Sequence, residues 1–463
     1  MRIIKIVLAL ILVALIFPGC RESRKKVPII LITLDTVRAD HLSVYGYFRD
    51  TTPFLKDFSE QCVTFNQAYT SIPLTLPSHL GLFSSHYPIQ HSIDTNYKAL
   101  GKWRYPLLAE VLRGNKYKTC AIVASIVLKR EFGLDRGFKT YQDSHFEQTI
   151  RIPVIKDRKE KVWEQKKRRA EDVVRRAKYW LEDDNHKDKK FFLWLHFWDA
   201  HTPYDLPPDY EREFADDAQF RKYLEDNAYL LPEDYPQVNE YDNSIRYLDE
   251  QLKNFFKYLD DEGILSKSLV IITADHGEGL GQHKWYKHGK HLYQGAVHIP
   301  LLIKFPNGRW AGKKIDSPVN LIDIAPTILD YLRIKDSLHS QGKSLLPLIN
   351  DKVKDIRECE FLQRRGYKEK PEEEVNDWEP GKKYGALCGG WKIIYSTEAE
   401  PELYSLKSDP LELKNLAKDE PQKYADLKKK IDFYLSLEDR SLAGTAEVSE
   451  EMKKKLEALG YNQ

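Results

Sequence analysis

The chain has 463 residues, 42% of them hydrophobic and 12% aromatic. That is enough for one large domain plus a smaller one, and it excludes global disorder. Lys and Arg number 72 against 70 Asp and Glu, so no basic excess recommends nucleic acid as a partner. The cysteines, Cys20, Cys62, Cys120, Cys359 and Cys388, are too few and too scattered for a disulfide scaffold or a zinc knuckle.

Residues 1–20 read as a lipoprotein signal peptide. Arg2 and Lys5 precede an apolar run, Ile6 to Phe17, that is too short to span a bilayer. The run ends at Pro18-Gly19-Cys20, and a polar stretch follows at once. A small residue before a cysteine resembles a bacterial lipobox, with Cys20 as the lipidated N-terminus. The expected body is therefore exported and tethered to an outer membrane, periplasmic face or cell surface.

Buried strands are expected at Val27–Leu34, Lys118–Ala124, Phe191–Trp198, Ser268–Thr273 and His298–Phe305, each a continuous apolar run. Helical stretches lie between them, as at Tyr105–Leu112 and Tyr247–Leu259. This alternation predicts an α/β fold with a largely parallel sheet. The charge-dense segment 158–190 carries Val173, Val174, Ala177, Trp180 and Leu181 at helical spacing and reads as a long solvated helix. Beyond about residue 310 the apolar runs shorten. Gly389-Gly390 reads as a turn into a strand of a smaller C-terminal subdomain.

Three of the strands lead into an aspartate: Asp35, Asp199 (with His201 just beyond) and Asp275-His276. Ligands of open α/β sheets lie beyond the carboxyl ends of strands, and carboxylates with imidazoles converging there form a metal-site pattern. Five of the 14 histidines fall between 276 and 298: His276, His283, His288, His291 and His298. His298 precedes a strand and reads as structural. Thr75, in a run ending Pro77-Ser78-His79, sits where a helix would start. There the backbone N–H groups favour an anion, and a hydroxyl beside a metal can attack phosphorus or sulfur.

These motifs, LDTVRADHLSVYGY around Asp35, PLTLPSH around Thr75 and ITADHGEGLGQH around Asp275, resemble the sulfatase-like branch of the alkaline phosphatase superfamily. FFLWLHFWDAHTPY at 191–204, YDNSIRYLDEQL at 241–252, LIDIAPTILDYL at 321–332 and ELYSLKSDPLELKNLA at 402–417 extend the resemblance over roughly residues 28–440. It implies an alkaline-phosphatase-like sandwich: a large mostly parallel sheet flanked by helices and a smaller C-terminal α+β subdomain. The implied division is a catalytic domain at 27–335, a C-terminal subdomain at 336–440 and a tail at 441–463. It implies Asp35, Thr75, Asp275 and His276 as metal-site residues, with Thr75 as nucleophile and His201 and His288 as catalytic groups. His288 stands near the usual lysine position. His79 stands at the motif arginine and, with His283, is expected to touch substrate.

The departures from the family pattern narrow the chemistry. Sulfatases of this branch carry Cys or Ser, converted to formylglycine, where this chain has Thr75. Their paired aspartates become Asp35-Thr36, and a second-strand lysine becomes a residue near Ser125. Threonine at this position resembles phosphodiesterases, phosphonate hydrolases and phospho-headgroup transferases of the superfamily. The expected activity is metal-dependent hydrolysis of a phosphate, phosphonate or sulfate ester on a small molecule, glycan or lipid. The alternatives are a headgroup transferase, a formylglycine-independent sulfatase and a non-catalytic glycan-binding protein. The ligand set favours one Mn²⁺ or Zn²⁺ over Ca²⁺; a second metal at Asp199, His201 and His283 is the further expectation.

Overall fold

The structure, a computed structural model, describes residues 26–144, 148–156, 159–229, 235–367, 379–439 and 441–458. The signal segment and Cys20 lie outside the described residues. Among the described residues no helix is long and apolar enough to cross a membrane.

An eight-stranded sheet organises the chain. Its strands are β1 (Ile29–Leu34), β2 (Val63–Phe65), β3 (Lys118–Ile122), β4 (Thr140–Gln142), β5 (Phe191–Phe197), β6 (Leu269–Ala274), β7 (Leu301–Lys304) and β8 (Lys314–Ile315). They lie in the order β8-β2-β7-β6-β1-β5-β3-β4. Only β7 runs antiparallel to its neighbours; the other pairs are parallel. The central strands β1, β5 and β6 are buried at every residue, as their unbroken Ile/Leu/Val/Phe runs require when both faces are covered. Each such side chain withdrawn from water stabilises by roughly 1.5–3 kcal/mol, which fixes the register firmly. Leu34 pairs with Ala274 on one side and Phe197 on the other, so Asp35 and Asp275 leave adjacent strands at the same level. The apolar run at 298–305 is split, with Leu301–Lys304 in the large sheet and His298–Ile299 in a small one. Pro300, between them, has no N–H to offer a ladder.

Helix α1 (Thr75–Ser84) is buried along its whole length. Within the segment expected as one long helix at 158–190, Lys159–Lys167 is instead a strand, paired antiparallel with Gln148–Lys156 just before it, and helix α2 (Ala170–Glu182) follows. The partner strand is rich in β-branched residues, Thr149, Ile150, Ile152, Val154 and Ile155, which favour extended backbone. The predicted stripe of α2 is buried as its spacing requires. Helix α3 (Tyr235–Asp261) and helix α4 (Ile324–Leu332) complete this part.

The C-terminal part is an antiparallel sheet of β9 (Cys359–Tyr367), β10 (Gly381–Cys388), β11 (Trp391–Ser396) and β12 (Glu402–Ser405), in that order. Helix α5 (Pro421–Ser436) packs Leu427, Ile431 and Tyr434 against Phe361, Ile393 and Leu403. Cys359 and Cys388 face each other across β9 and β10 and form a disulfide. The cysteines thus build no scaffold but do supply one bridge. The segment beyond residue 441 is no free extension. Ala443–Glu447 pairs with Lys98–Trp103, and Leu442, Val448, Met452 and Leu456 enter the main core.

Candidate active site

Asp35 and Asp275 project from the ends of β1 and β6, and both are buried. The oxygens Asp35 Oδ1, Asp35 Oδ2 and Asp275 Oδ2 accept no hydrogen bond. Asp275 Oδ1 accepts from the His276 N–H at 2.9 Å and from the Thr36 N–H at 3.3 Å. Thr36 adopts a left-handed φ of 59°, uncommon for a β-branched residue, and its hydroxyl donates to the Ala200 carbonyl at 2.7 Å. Its side chain is therefore tied to the loop after β5 rather than offered as a ligand.

His276 Nδ1–H donates to the Gly277 carbonyl at 2.9 Å. In that tautomer Nε2 keeps a lone pair. Nε2 lies 3.2 Å from Thr75 Oγ1, 3.4 Å from Asp275 Oδ2 and 3.7 Å from Asp35 Oδ1. The turn that aims His276 needs glycine at 277, because a Cβ there would lie 2.0 Å from the Gly295 carbonyl oxygen. Thr75 is the first residue of α1 and is buried.

Burial pushes Asp35 up to about 7, a rise that nearby His276 only partly opposes. Burial and the neighbouring Asp35 likewise raise Asp275. For His276, burial works against the charged ring, but Asp275 and Asp35 outweigh it and its pKa is raised. Two carboxylates that repel each other in a dry site, with three oxygens lacking donors, are the arrangement a divalent cation relieves. Asp35, Asp275 and His276 converge closely enough to share one, and two carboxylates with an imidazole fit Mn²⁺ or Zn²⁺ chemistry.

The remaining expected residues divide. His288 joins the group: its ring lies 4.4 Å from that of His276 and 5.1 Å from that of His201. His288 Nδ1 meets the buried carboxylate of Glu278 at 3.2 Å. His201 Nδ1–H donates to the Thr202 carbonyl at 2.5 Å, and burial drives its pKa down to about 3. His79 does not face a substrate, because both of its ring nitrogens are hydrogen-bonded inside the protein, to the Thr75 carbonyl and to Thr33 Oγ1. His283 is elsewhere. Its Nε2 bonds the Leu411 carbonyl at 2.8 Å, and its ring stacks on Tyr293 at 4.0 Å. Asp199 Oδ1 accepts from the Ala170 N–H at the start of α2. The second-metal set Asp199, His201 and His283 is thus not among the cation-sized groups of the described residues.

Three residues at the site escaped the sequence reading. His196 lies within β5, fully buried, with Nε2 3.4 Å from Asp35 Oδ2. Glu278 orients His288. Asn96 Oδ1 accepts from the Leu76 N–H at 3.0 Å, beside Thr75, and its buried Nδ2 has no partner. Glu278 was signalled by its place two residues after His276; Asn96 sits in a loop that carries no such signal.

Comparison with known proteins defines the class. Residues 28–334 match the sulfatase family model, and residues 281–439 match that of the N-sulphoglucosamine sulphohydrolase C-terminal region. The chain belongs to the sulfatase family. It is 23% identical to an arylsulfatase of Clostridium perfringens over 90% of this chain and 95% of that one. Its fold superposes on a phosphonate monoester hydrolase of Agrobacterium radiobacter with a TM-score of 0.70 at 19% identity, covering 92% and 99% of the two chains. A structure described as bound to its substrate D-glucosamine-2-N,6-O-disulfate gives a TM-score of 0.67 at 18% identity, covering 89% and 98%.

Proposed function

We propose that the protein is an exported, metal-dependent hydrolase that cleaves a phosphodiester or phosphonate ester through Thr75. The observation that carries this reading is the Thr75 hydroxyl at the start of α1, 3.2 Å from His276 Nε2, within the Asp35–Asp275–His276 group. A divalent cation held by Asp35, Asp275 and His276 would draw charge from the ester's non-bridging oxygens and make the adjacent hydroxyl more acidic. Thr75 Oγ1 attacks the central atom in line, giving a threonine ester that water then hydrolyses. The free Asn96 Nδ2 supplies a hydrogen bond to a developing negative oxygen. Burial lowers the His288 pKa and raises that of Glu278, so the proton for the leaving oxygen comes from the Glu278 carboxyl through His288, and His201 packs beside it. Two features support an exported location: the lipobox-like residues at 18–20 and the Cys359–Cys388 disulfide, which persists in oxidising compartments.

The family model and the arylsulfatase relative favour a second reading, the same machinery acting on a sulfate ester of a glycan. A panel of aryl phosphate mono- and diesters, an aryl phosphonate and an aryl sulfate, run with Mn²⁺, Zn²⁺ or Ca²⁺ against Thr75→Ala, separates the two. Turnover of a phosphorus ester that disappears in Thr75→Ala supports the first. Turnover of the sulfate alone replaces it with the second, and turnover undiminished in Thr75→Ala ends the nucleophile assignment.

A further inference from the structure

Behind the cation-sized group lie two more buried imidazoles, His79 and His196, with ring centroids 5.1 Å apart. Together with Asp275 they are close enough to share a cation of their own, but their hydrogen bonds decide against it. His79 Nδ1–H donates to the Thr75 carbonyl at 2.7 Å. Its Nε2 accepts from Thr33 Oγ1 at 3.1 Å, and that oxygen accepts from Trp194 Nε1 at 3.0 Å. Both nitrogens are occupied, so His79 has no lone pair to give a metal.

His196 differs. Its Nδ1 accepts from the Ala124 N–H at 3.4 Å, so the neutral ring carries its proton on Nε2. That nitrogen makes no hydrogen bond shorter than its 3.4 Å approach to Asp35 Oδ2, and the side chain is fully buried. The approach is long for a hydrogen bond, and Asp35 Oδ2 is the acceptor facing it. The backbone cannot drift, because His196 is paired with Thr33 in the parallel register of β5 and β1.

We propose that His196 is a positioning residue that holds the Asp35 carboxylate for the cation without ligating it. This rests on the reading of Asp35 as a metal ligand. A carboxylate with two unbonded oxygens at the end of a strand is free to turn about its last torsion. An N–H on one oxygen fixes the plane and leaves the other oxygen for the ion, as ligating carboxylates generally require. A lysine or arginine in this place would pair with Asp35 and compete with the cation; a neutral imidazole does neither.

Titration of the full chain with Mn²⁺ and Zn²⁺ by calorimetry tests this, using wild type, His196→Leu, His196→Gln and Asp35→Asn. Electron spin-echo spectroscopy of the Mn²⁺ form would count coupled imidazoles, and circular dichroism would confirm the fold of each variant. The expected result is one coupled imidazole in wild type, retained in both His196 variants. Affinity should fall roughly 10- to 100-fold in His196→Leu and recover in His196→Gln, whose amide can place an N–H near Nε2. Wild-type affinity in His196→Leu, with affinity lost in Asp35→Asn, overturns this inference alone. Two coupled imidazoles falling to one in His196→Gln would make His196 a ligand and overturn it too. Undiminished binding in Asp35→Asn removes the ligand reading of Asp35 itself, and this inference with it.

Discussion

The ends of β1 and β6 and the seam between the C-terminal sheet and the 276–297 loop both bury charge, and they treat it differently. At the seam each buried carboxylate meets a cation or a ring of donors. Lys392 Nζ pairs with Glu412 Oε1 at 2.5 Å, while Glu412 Oε2 accepts from the Gln294 N–H at 2.7 Å. Glu402 accepts from Lys383, Tyr293 and Tyr404. Nearby, Arg357 bridges Asp323 and Glu360. At the strand ends, Asp35 and Asp275 have each other and imidazoles, with three oxygens unbonded. Charge satisfied within the protein holds the loop that carries His276 and His288; charge left unsatisfied marks the place for a ligand.

The largest effect expected is on catalysis. Thr75→Ala should lower hydrolysis by roughly 10⁴-fold or more, as loss of a nucleophile does, with Thr75→Ser restoring a large part. Thermal unfolding should shift little, because the change removes only one hydroxyl and one methyl. A Thr75→Ala protein that is inactive only because it unfolds would break the division between site and scaffold.

Next comes the seam. Lys392→Met strands Glu412 in a dry interface and should cost about 3–5 kcal/mol in urea unfolding. The double variant Lys392→Met/Glu412→Leu should recover most of that loss, since an apolar pair can replace a buried ion pair. If Lys392→Met is as stable as wild type, the seam is not a structural clamp.

The strand ends should respond in the opposite sense. Asp275→Asn in metal-free protein should leave stability within about 1 kcal/mol of wild type or raise it, because it removes one of two buried carboxylates that repel each other. Wild type should gain about 2.7 kcal/mol when Mn²⁺ or Zn²⁺ reaches 100 times its Kd, and Asp275→Asn should lose that gain. Equal stabilisation of both proteins by metal would place the ion elsewhere.

The two regions also differed in how far the sequence exposed them. Asp35, Asp275 and His276 were legible because each follows an apolar strand, and parallel register brings strand ends to one level. The large sheet was legible for the same reason, from its continuous apolar runs. His79 was four residues from Thr75 and so on the same helical face, but its inward hydrogen bonds depend on Thr33 and Trp194 from two other strands. His196 looked like one polar interruption in FFLWLHFW, and only the pairing with β1 shows what it faces. The seam was illegible: Lys392, Glu412, Glu402 and Tyr293 are scattered over more than a hundred residues, and nothing local pairs them. The hairpin at 148–167 was obscured because its second strand, Lys159–Lys167, is dense in charge and holds only Val162 and Trp163 as apolar residues.

Asp249 supplies an intermediate case. It sits in α3, almost wholly buried, and accepts from the Phe54 and Leu55 N–H groups at 2.8 and 2.9 Å. It has donors, as the seam carboxylates do, but no cation close enough to pair with it among the described residues. Burial outweighs those donors and pushes its pKa up to about 7. A carboxyl group with a folded-state pKa above its unfolded value near 3.8 binds its proton more tightly when folded. Its contribution is therefore most favourable below pH 4 and declines as pH rises toward 7, by at most about 1.4 kcal/mol per pH unit. Asp249→Asn cannot titrate and keeps one acceptor for the two N–H groups. The stability difference between Asp249→Asn and wild type should move in favour of the variant from pH 4 to 7 and level off above. A difference that stays constant across that range would mean that two N–H groups suffice to hold a buried carboxylate charged. Cations at the seam would then be more than the fold requires.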